Sequence, residues 1–132
     1  MGTKAGLAKW HQTMDAKDPA MLTDLLHEDV VFLSPVVHTA QQGRVRTKLY
    51  LTAAMTALAT EFRYLRELVT GQDAVLEFEC NVDGVYVNGI DMIRFDDDGK
   101  IIEFKVMVRP LKAISAVHQA MAAQLEALTK GT

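Results

Sequence analysis

Apolar side chains recur at three- and four-residue steps near the start of the chain, at Leu7, Trp10 and Met14. That spacing predicts a helix with one buried stripe, capped by Thr3. Asp18-Pro19 opens a second, short helix, because Asp suits the cap position and Pro the first helical one. Leu22, Leu25 and Leu26 give it a buried side, and His27-Glu28-Asp29 end it. Val30 to Ser34 is β-branched and aromatic and stops at Pro35, which predicts a short strand, with a loop to Gly43 after it. From Arg44 to about Thr60 the Ala-, Leu- and Met-rich composition predicts a third helix with Tyr50, Ala54 and Leu58 on one face.

After Glu61 the helical period gives way to alternation. Phe62 to Val69, Ala74 to Val82, Val85 to Phe95 and Ile101 to Val108 read as strands. Gly71-Gln72, Asp83-Gly84 and Asp98-Gly99 separate them, so they form a meander of hairpins. Only Val85, Tyr86 and Val87 lie between Asp83-Gly84 and Asn88-Gly89. One of these dipeptides is therefore the turn and the other a bulge that bends the sheet. Pro110 then starts a last helix with Leu111, Ile114, His118, Met121, Leu125 and Leu128 on one stripe and Gly131 beyond its end.

Neighbours on a strand point to opposite faces, and here the split is clean. Leu76, Phe78, Cys80 and Val82, with Ile102, Phe104, Val106 and Val108, form an apolar face for the helices to cover. Glu77, Glu79 and Asn81, with Glu103, Lys105 and Arg109, form a charged one. Asp91 shares its register with Gly89 and Ile93, so if that set is on the apolar face, one carboxylate looks into the core. Together these elements predict an α+β fold: N-terminal helices packed on a strongly curved, mostly antiparallel sheet around one pocket, plus a C-terminal helix.

Composition narrows the class. The 132 residues suit one domain, spanning 1–132, and with 49% apolar residues it can bury a real core. The net charge of −3 is mild and the basic residues are scattered, so a nucleic-acid partner is not expected. Cys80 stands alone, which rules out an internal disulfide and suits a reducing compartment. No stretch has the length of a signal peptide or membrane span, so a cytoplasmic protein is expected. The histidines lack metal-ligand spacing, Asp96-Asp97-Asp98-Gly99 lacks a calcium loop's alternating ligands, and no phosphate loop or nucleophile elbow is present. Neither metal nor cofactor is expected.

Trp10, the stretch DPAMLTDLLHEDVVFLSP, the Gly43-Arg44 helix start and GIDMIRFDDDGKIIEF together resemble the SnoaL-like proteins of the nuclear transport factor 2-like superfamily. The resemblance covers almost the whole chain and implies a cone-shaped roll and a homodimer. It leaves function open, since that superfamily includes ketosteroid isomerases, polyketide cyclases, dehydratases, epoxide hydrolases and non-catalytic subunits. Against the ketosteroid isomerases, Trp10 stands where they have an oxyanion-holding tyrosine, Ser34 where they have the aspartate base, and Asp91 where they have a protonated oxyanion-hole aspartate. Serine does not abstract a proton unaided, so ketosteroid isomerase activity is not expected. The polyketide cyclases' Glu-His-Trp-Asp run is Glu103-Phe104-Lys105-Val106 here, which removes their acid/base aspartate.

The candidate catalytic group is Asp91, against the alternative of a carboxylate satisfied by a backbone or indole donor. Candidate substrate contacts are Trp10, Ser34, His38 and Tyr50, with Phe78, Phe104 and Val106 of the apolar face. Each has a plainer reading: core packing for Trp10, a strand-end cap for Ser34, an exposed loop for His38. Three functions remain: a cofactor-free isomerase-, cyclase- or dehydratase-like enzyme acting on a small apolar carbonyl compound, a non-catalytic binder of an apolar ligand, or an interaction subunit whose cavity is packed shut. An open cavity lined by Asp91 would remove the last.

Overall fold

The computed structural model describes residues 2–130, so Gly131 lies outside the described residues. Helix α1 runs Gly2–Ala16, a 3₁₀ turn covers Pro19–Met21, and α2 is the single turn Leu22–Leu25. Strands β1 (Leu26–Leu33) and β2 (Gln41–Gln42) precede α3 (Arg44–Ala57). The meander β3 (Arg63–Thr70), β4 (Asp73–Val82), β5 (Val85–Phe95) and β6 (Ile101–Arg109) leads to α4 (Leu111–Lys130). The strands form one six-stranded sheet in the order β2-β1-β6-β5-β4-β3, open at both edges. All neighbours are antiparallel except β1, which lies parallel to β6. No helix among the described residues is long and apolar enough to cross a membrane.

Several local expectations change. Thr3 is inside α1 and does not cap it; its hydroxyl is buried and donates to the Gly71 carbonyl. The helix after Pro19 ends at Leu25, and His27, Glu28 and Asp29 belong to β1, because backbone pairing with β6 begins at Leu26. Asp18 does cap the turn, its carboxylate accepting from the Ala20 N–H. Part of the expected loop before Gly43 pairs with β1 as β2.

Asp83-Gly84 is the hairpin turn, with φ of 51° and 80°, the paired positive angles that match the twist of the flanking strands. Asn88-Gly89 is not a bulge: the β4/β5 ladder runs through it unbroken, Glu79 opposite Asn88 and Phe78 opposite Gly89. Gly89 instead admits close packing, since a Cβ there would strike the Met107 carbonyl and the Phe78 ring. The bulges lie elsewhere. In β3, Tyr64 pairs with Phe78 and Arg66 with Glu77, which leaves Leu65 as an extra residue. At the start of β6, Ile102 is the extra residue, so Ile101 and not Ile102 is the fully buried residue there.

Two apolar clusters fill the concave side. One joins Leu7 and Trp10 of α1 to Leu22, Phe32, Leu51, Phe95 and Phe104. The other joins Phe78, Cys80 and Val87 to Ala113 and Val117 of α4. The buried face of α4 keeps only part of the expected stripe: Met121 packs inward, whereas Leu111 is 79% exposed and His118 is exposed. Small residues (Ala113, Ala116, Val117) occupy the inner side, because they let the helix approach sheet and α3 closely. Tyr64 and Val106 pack against both clusters, which places them at the seam.

Candidate functional site

At that seam the two clusters do not meet, and a cavity of about 330 Å³ remains. This is the low end of the range for small-molecule pockets. Helix α1 lends Trp10 and Met14 to its wall, and α3 lends Leu51 and Met55, with Leu58 just past its end. The sheet contributes Tyr64, Asp91, Phe104 and Val106. The exposed side chains of Asp15, Lys17 and Arg63 edge its mouth. Arg63 is held there by Glu79, and His11 by Glu67 at 2.7 Å.

Asp91 sits midway along β5, where Val87, Gly89, Asp91, Ile93 and Phe95 all turn to the concave side. It is 7% exposed. Tyr64 Oη donates to its Oδ2 at 2.8 Å, and Trp10 Nε1 donates in turn to Tyr64 Oη at 3.0 Å. No protein group among the described residues bonds Oδ1. Burial disfavours the ionised form and pushes the carboxyl up to about 7, against the opposing pull of the Tyr64 hydrogen bond. Burial also raises the Tyr64 phenol well above its usual range, and the nearby Asp91 charge adds to this. Cys80 rises to about 11 for the same two reasons, which makes it an inert packing thiol.

Of the residues singled out in the sequence, Trp10, Asp91, Phe104 and Val106 meet at the cavity. Ser34, His38, Tyr50 and Phe78 are not on its wall. Ser34 Oγ accepts from the backbone N–H of Val36 and Val37, which ties it into the turn after β1. His38 is exposed on the following loop. Tyr50 faces Phe32, ring centroids 5.5 Å apart, and Phe78 stacks on Phe62 at 5.3 Å. Tyr64 was not legible as a site residue. The α3 wall was visible as a helix face, of which Ala54 and Leu58 reach the cavity.

A strongly curved open sheet, covered on its concave side by helices that leave a cavity at the seam, is the nuclear transport factor 2-like architecture. The chain belongs to the SnoaL-like domain family, whose model matches residues 7–104. It is similar to a steroid delta-isomerase from Pseudomonas aeruginosa, with 38% identity over 98% of this chain and 95% of that one and a TM-score of 0.93. A protein conserved in bacteria with a cystatin-like fold, from Silicibacter pomeroyi DSS-3, is 31% identical over 94% of this chain and 87% of that one, TM-score 0.86. A de novo designed protein with a curved β-sheet shares the fold alone, at 13% identity, 89% and 95% coverage and a TM-score of 0.69. No curated protein matches the chain.

Proposed function

We propose that this chain is a small-molecule pocket protein that works as a cofactor-free acid/base enzyme, isomerase-, cyclase- or dehydratase-like, on a small apolar carbonyl compound. The observation that carries the reading is Asp91: a carboxyl in an apolar cavity, with one oxygen held by Tyr64 and the other without a protein partner. A group pushed up to about 7 both gives and takes a proton near neutral pH. The likeness to a steroid delta-isomerase supports proton transfer beside a carbonyl. Ser34, however, is tied to backbone N–H groups away from the cavity, so no second base faces the substrate there. That same observation favours the second reading, a binder of an apolar ligand without turnover. The cavity speaks against an interaction subunit that is packed shut.

The test is turnover of small enones, epoxides and hydroxyacyl compounds, followed by mass spectrometry, beside identification of any compound that copurifies from the native host. Wild type is expected to convert one of these classes and Asp91→Asn to lose the conversion, while a Δ5-3-ketosteroid reacts no faster than in buffer. Conversion that survives Asp91→Asn undiminished would overturn the catalytic role. A copurifying ligand released unchanged, with no turnover across the panel, would establish the binder.

A homodimer through the convex sheet face is part of this proposal. Glu77 and Glu79 are already paired within the chain by Arg66 and Arg63, so they offer little charge to a partner. The same face also carries exposed Leu68, Tyr86 and Met107, apolar surface that an isologous contact would cover. Light scattering at micromolar concentration is expected to give the dimer mass and to keep it at about 1 M salt, where surface charge contacts are screened within about 3 Å. A monomer mass in low salt would end the idea.

A further inference from the structure

We propose that Trp10 and Tyr64 form a one-way hydrogen-bond relay that fixes the Asp91 carboxyl and reserves its Oδ1 for the ligand. In that arrangement the site selects a compound presenting a single carbonyl-type oxygen. The inference deepens the acid/base reading of Asp91 and rests on it for its functional meaning, but its test needs no substrate.

The direction follows from what each group is able to do. An indole N–H donates and never accepts, so the 3.0 Å bond between Trp10 Nε1 and Tyr64 Oη runs only toward the phenol. The phenol then has one proton left to place, and Asp91 Oδ2 lies 2.8 Å away as its acceptor. Reversal would make Asp91 donate to Tyr64 and send the phenol proton elsewhere. The surroundings offer it little: Phe62 meets the tyrosine ring edge-on at 5.1 Å. His11 also meets that ring edge-on, at 5.6 Å, but its Nε2 is occupied by Glu67. Donation from Trp10 polarises the phenol and strengthens its own donation to the carboxyl.

This has a consequence for the proton of the neutral acid. With Oδ2 accepting from Tyr64, the carboxyl proton belongs on Oδ1, the oxygen without a protein partner on a residue that lines the cavity. The indole and phenol protons are both engaged, so away from the mouth a ligand oxygen meets one donor, Oδ1–H. Once ionised, the same atom is the acceptor. Tyr64 and Trp10 act through Asp91 and are positioning residues.

The other ionisable groups around Asp91 are few. Cys80 on β4 feels its charge, and the α3 wall and the opposite residue on β6, Val106, carry none. His11, Asp15 and Lys17 at the end of α1 and Arg63 on β3 stand at the mouth. Histidine is the side chain that ordinarily changes charge near neutral pH, so His11 has to be separated from Asp91 in any titration.

The chain has a single tryptophan, so one indole N–H resonance in a nitrogen–proton correlation spectrum reports the far end of the relay. In wild type this resonance is expected to shift with pH at the same midpoint as the Asp91 Cγ signal in carbon-detected spectra. The shift should vanish in Asp91→Asn and in Tyr64→Phe and persist in His11→Gln. In Tyr64→Phe the Asp91 midpoint should rise, because a hydrogen bond to the ionised form is lost. Trp10→Phe should raise it in the wild-type background and leave it unmoved when added to Tyr64→Phe, since its effect passes through the phenol. A merely structural tryptophan would not show this dependence. The relay is wrong if the indole signal follows His11 instead, stays flat while Asp91 titrates, or if Trp10→Phe moves Asp91 equally in both backgrounds. Absence of turnover with the relay intact would instead count against the enzymatic reading alone.

Discussion

Asp91→Asn is expected to make the protein more stable relative to wild type as pH rises, by about 4 kcal/mol between pH 4 and pH 8. In the folded protein the carboxyl titrates at about 7, because burial penalises its charge. In the unfolded chain it titrates at about 3.9. The folded state thus holds this proton more tightly, so the group stabilises the fold fully below about pH 4. That contribution fades as the pH climbs and is gone above the folded value, where a carboxylate is buried in the cavity. Asparagine is neutral throughout and keeps an oxygen for Tyr64. Asp73, Glu77 and Glu79 are held below their usual range, chiefly by hydrogen bonds from arginines, and act in the opposite sense. They are common to both proteins and cancel in the comparison. Urea unfolding at pH 4, 6 and 8 is the measurement, and parallel pH profiles would show that Asp91 is ionised in the folded protein like any surface acid. On turnover the same substitution is expected to remove about 10²- to 10⁴-fold, the usual worth of a positioned acid/base group.

Gly6→Ala is expected to lower the melting temperature by about 10 °C, from about 3 kcal/mol of lost stability. In a helix interior this change ordinarily adds up to about 1 kcal/mol, so the predicted sign is the reverse of the propensity rule. The reason lies in how α1 is seated. A Cβ on Gly6 would strike the Gly99 carbonyl and the Phe95 ring. Gly99, at φ 83°, in turn brings its backbone against Gly2 and Gly6. The turn beneath is braced by Asp96, whose carboxylate accepts from the Asp98 and Lys100 N–H groups, so the helix rather than the turn must give way. Since α1 carries Trp10, lifting it would also loosen one wall of the cavity. A variant melting at or above wild type would show that the contact is soft.

The alternation of β4 and β5 was legible because both strands are regular along their length; it put Asp91 in register with Gly89 and Ile93, and left open which face that set takes. Tyr64 was harder. Its strand lies at the sheet edge, most of its residues are exposed, and Leu65 breaks its phase, so no period marks the inward positions. The face of α4 was misjudged because large apolar residues draw the eye, whereas close packing on α3 and the sheet selected the alanines. Gly2, Gly6 and Gly99 carry no pattern at all, since only the approach of two distant backbones gives them meaning. The dipeptides Asp83-Gly84 and Asn88-Gly89 look alike in sequence. What separates them is that Gly89 faces a ring and a carbonyl across the sheet while Gly84 faces open space.

The extra residue in β3 decides more than local shape. Were Leu65 paired in the ladder instead of bulged, it would stand opposite Glu77 and Arg66 would fall opposite Leu76, which itself pairs with Asp91 on β5. A guanidinium would then enter the concave side two strands from the carboxyl and favour its ionised form. With Leu65 left out of the ladder, Arg66 is turned out to Glu77 and Glu67 takes the place opposite Leu76, where it holds His11. Drawing Leu65 into the ladder would therefore put a guanidinium on the same row of the sheet as the carboxyl. Leu65 itself is absent from the cavity wall, so the charge on the cavity's row is set by a residue that does not line it.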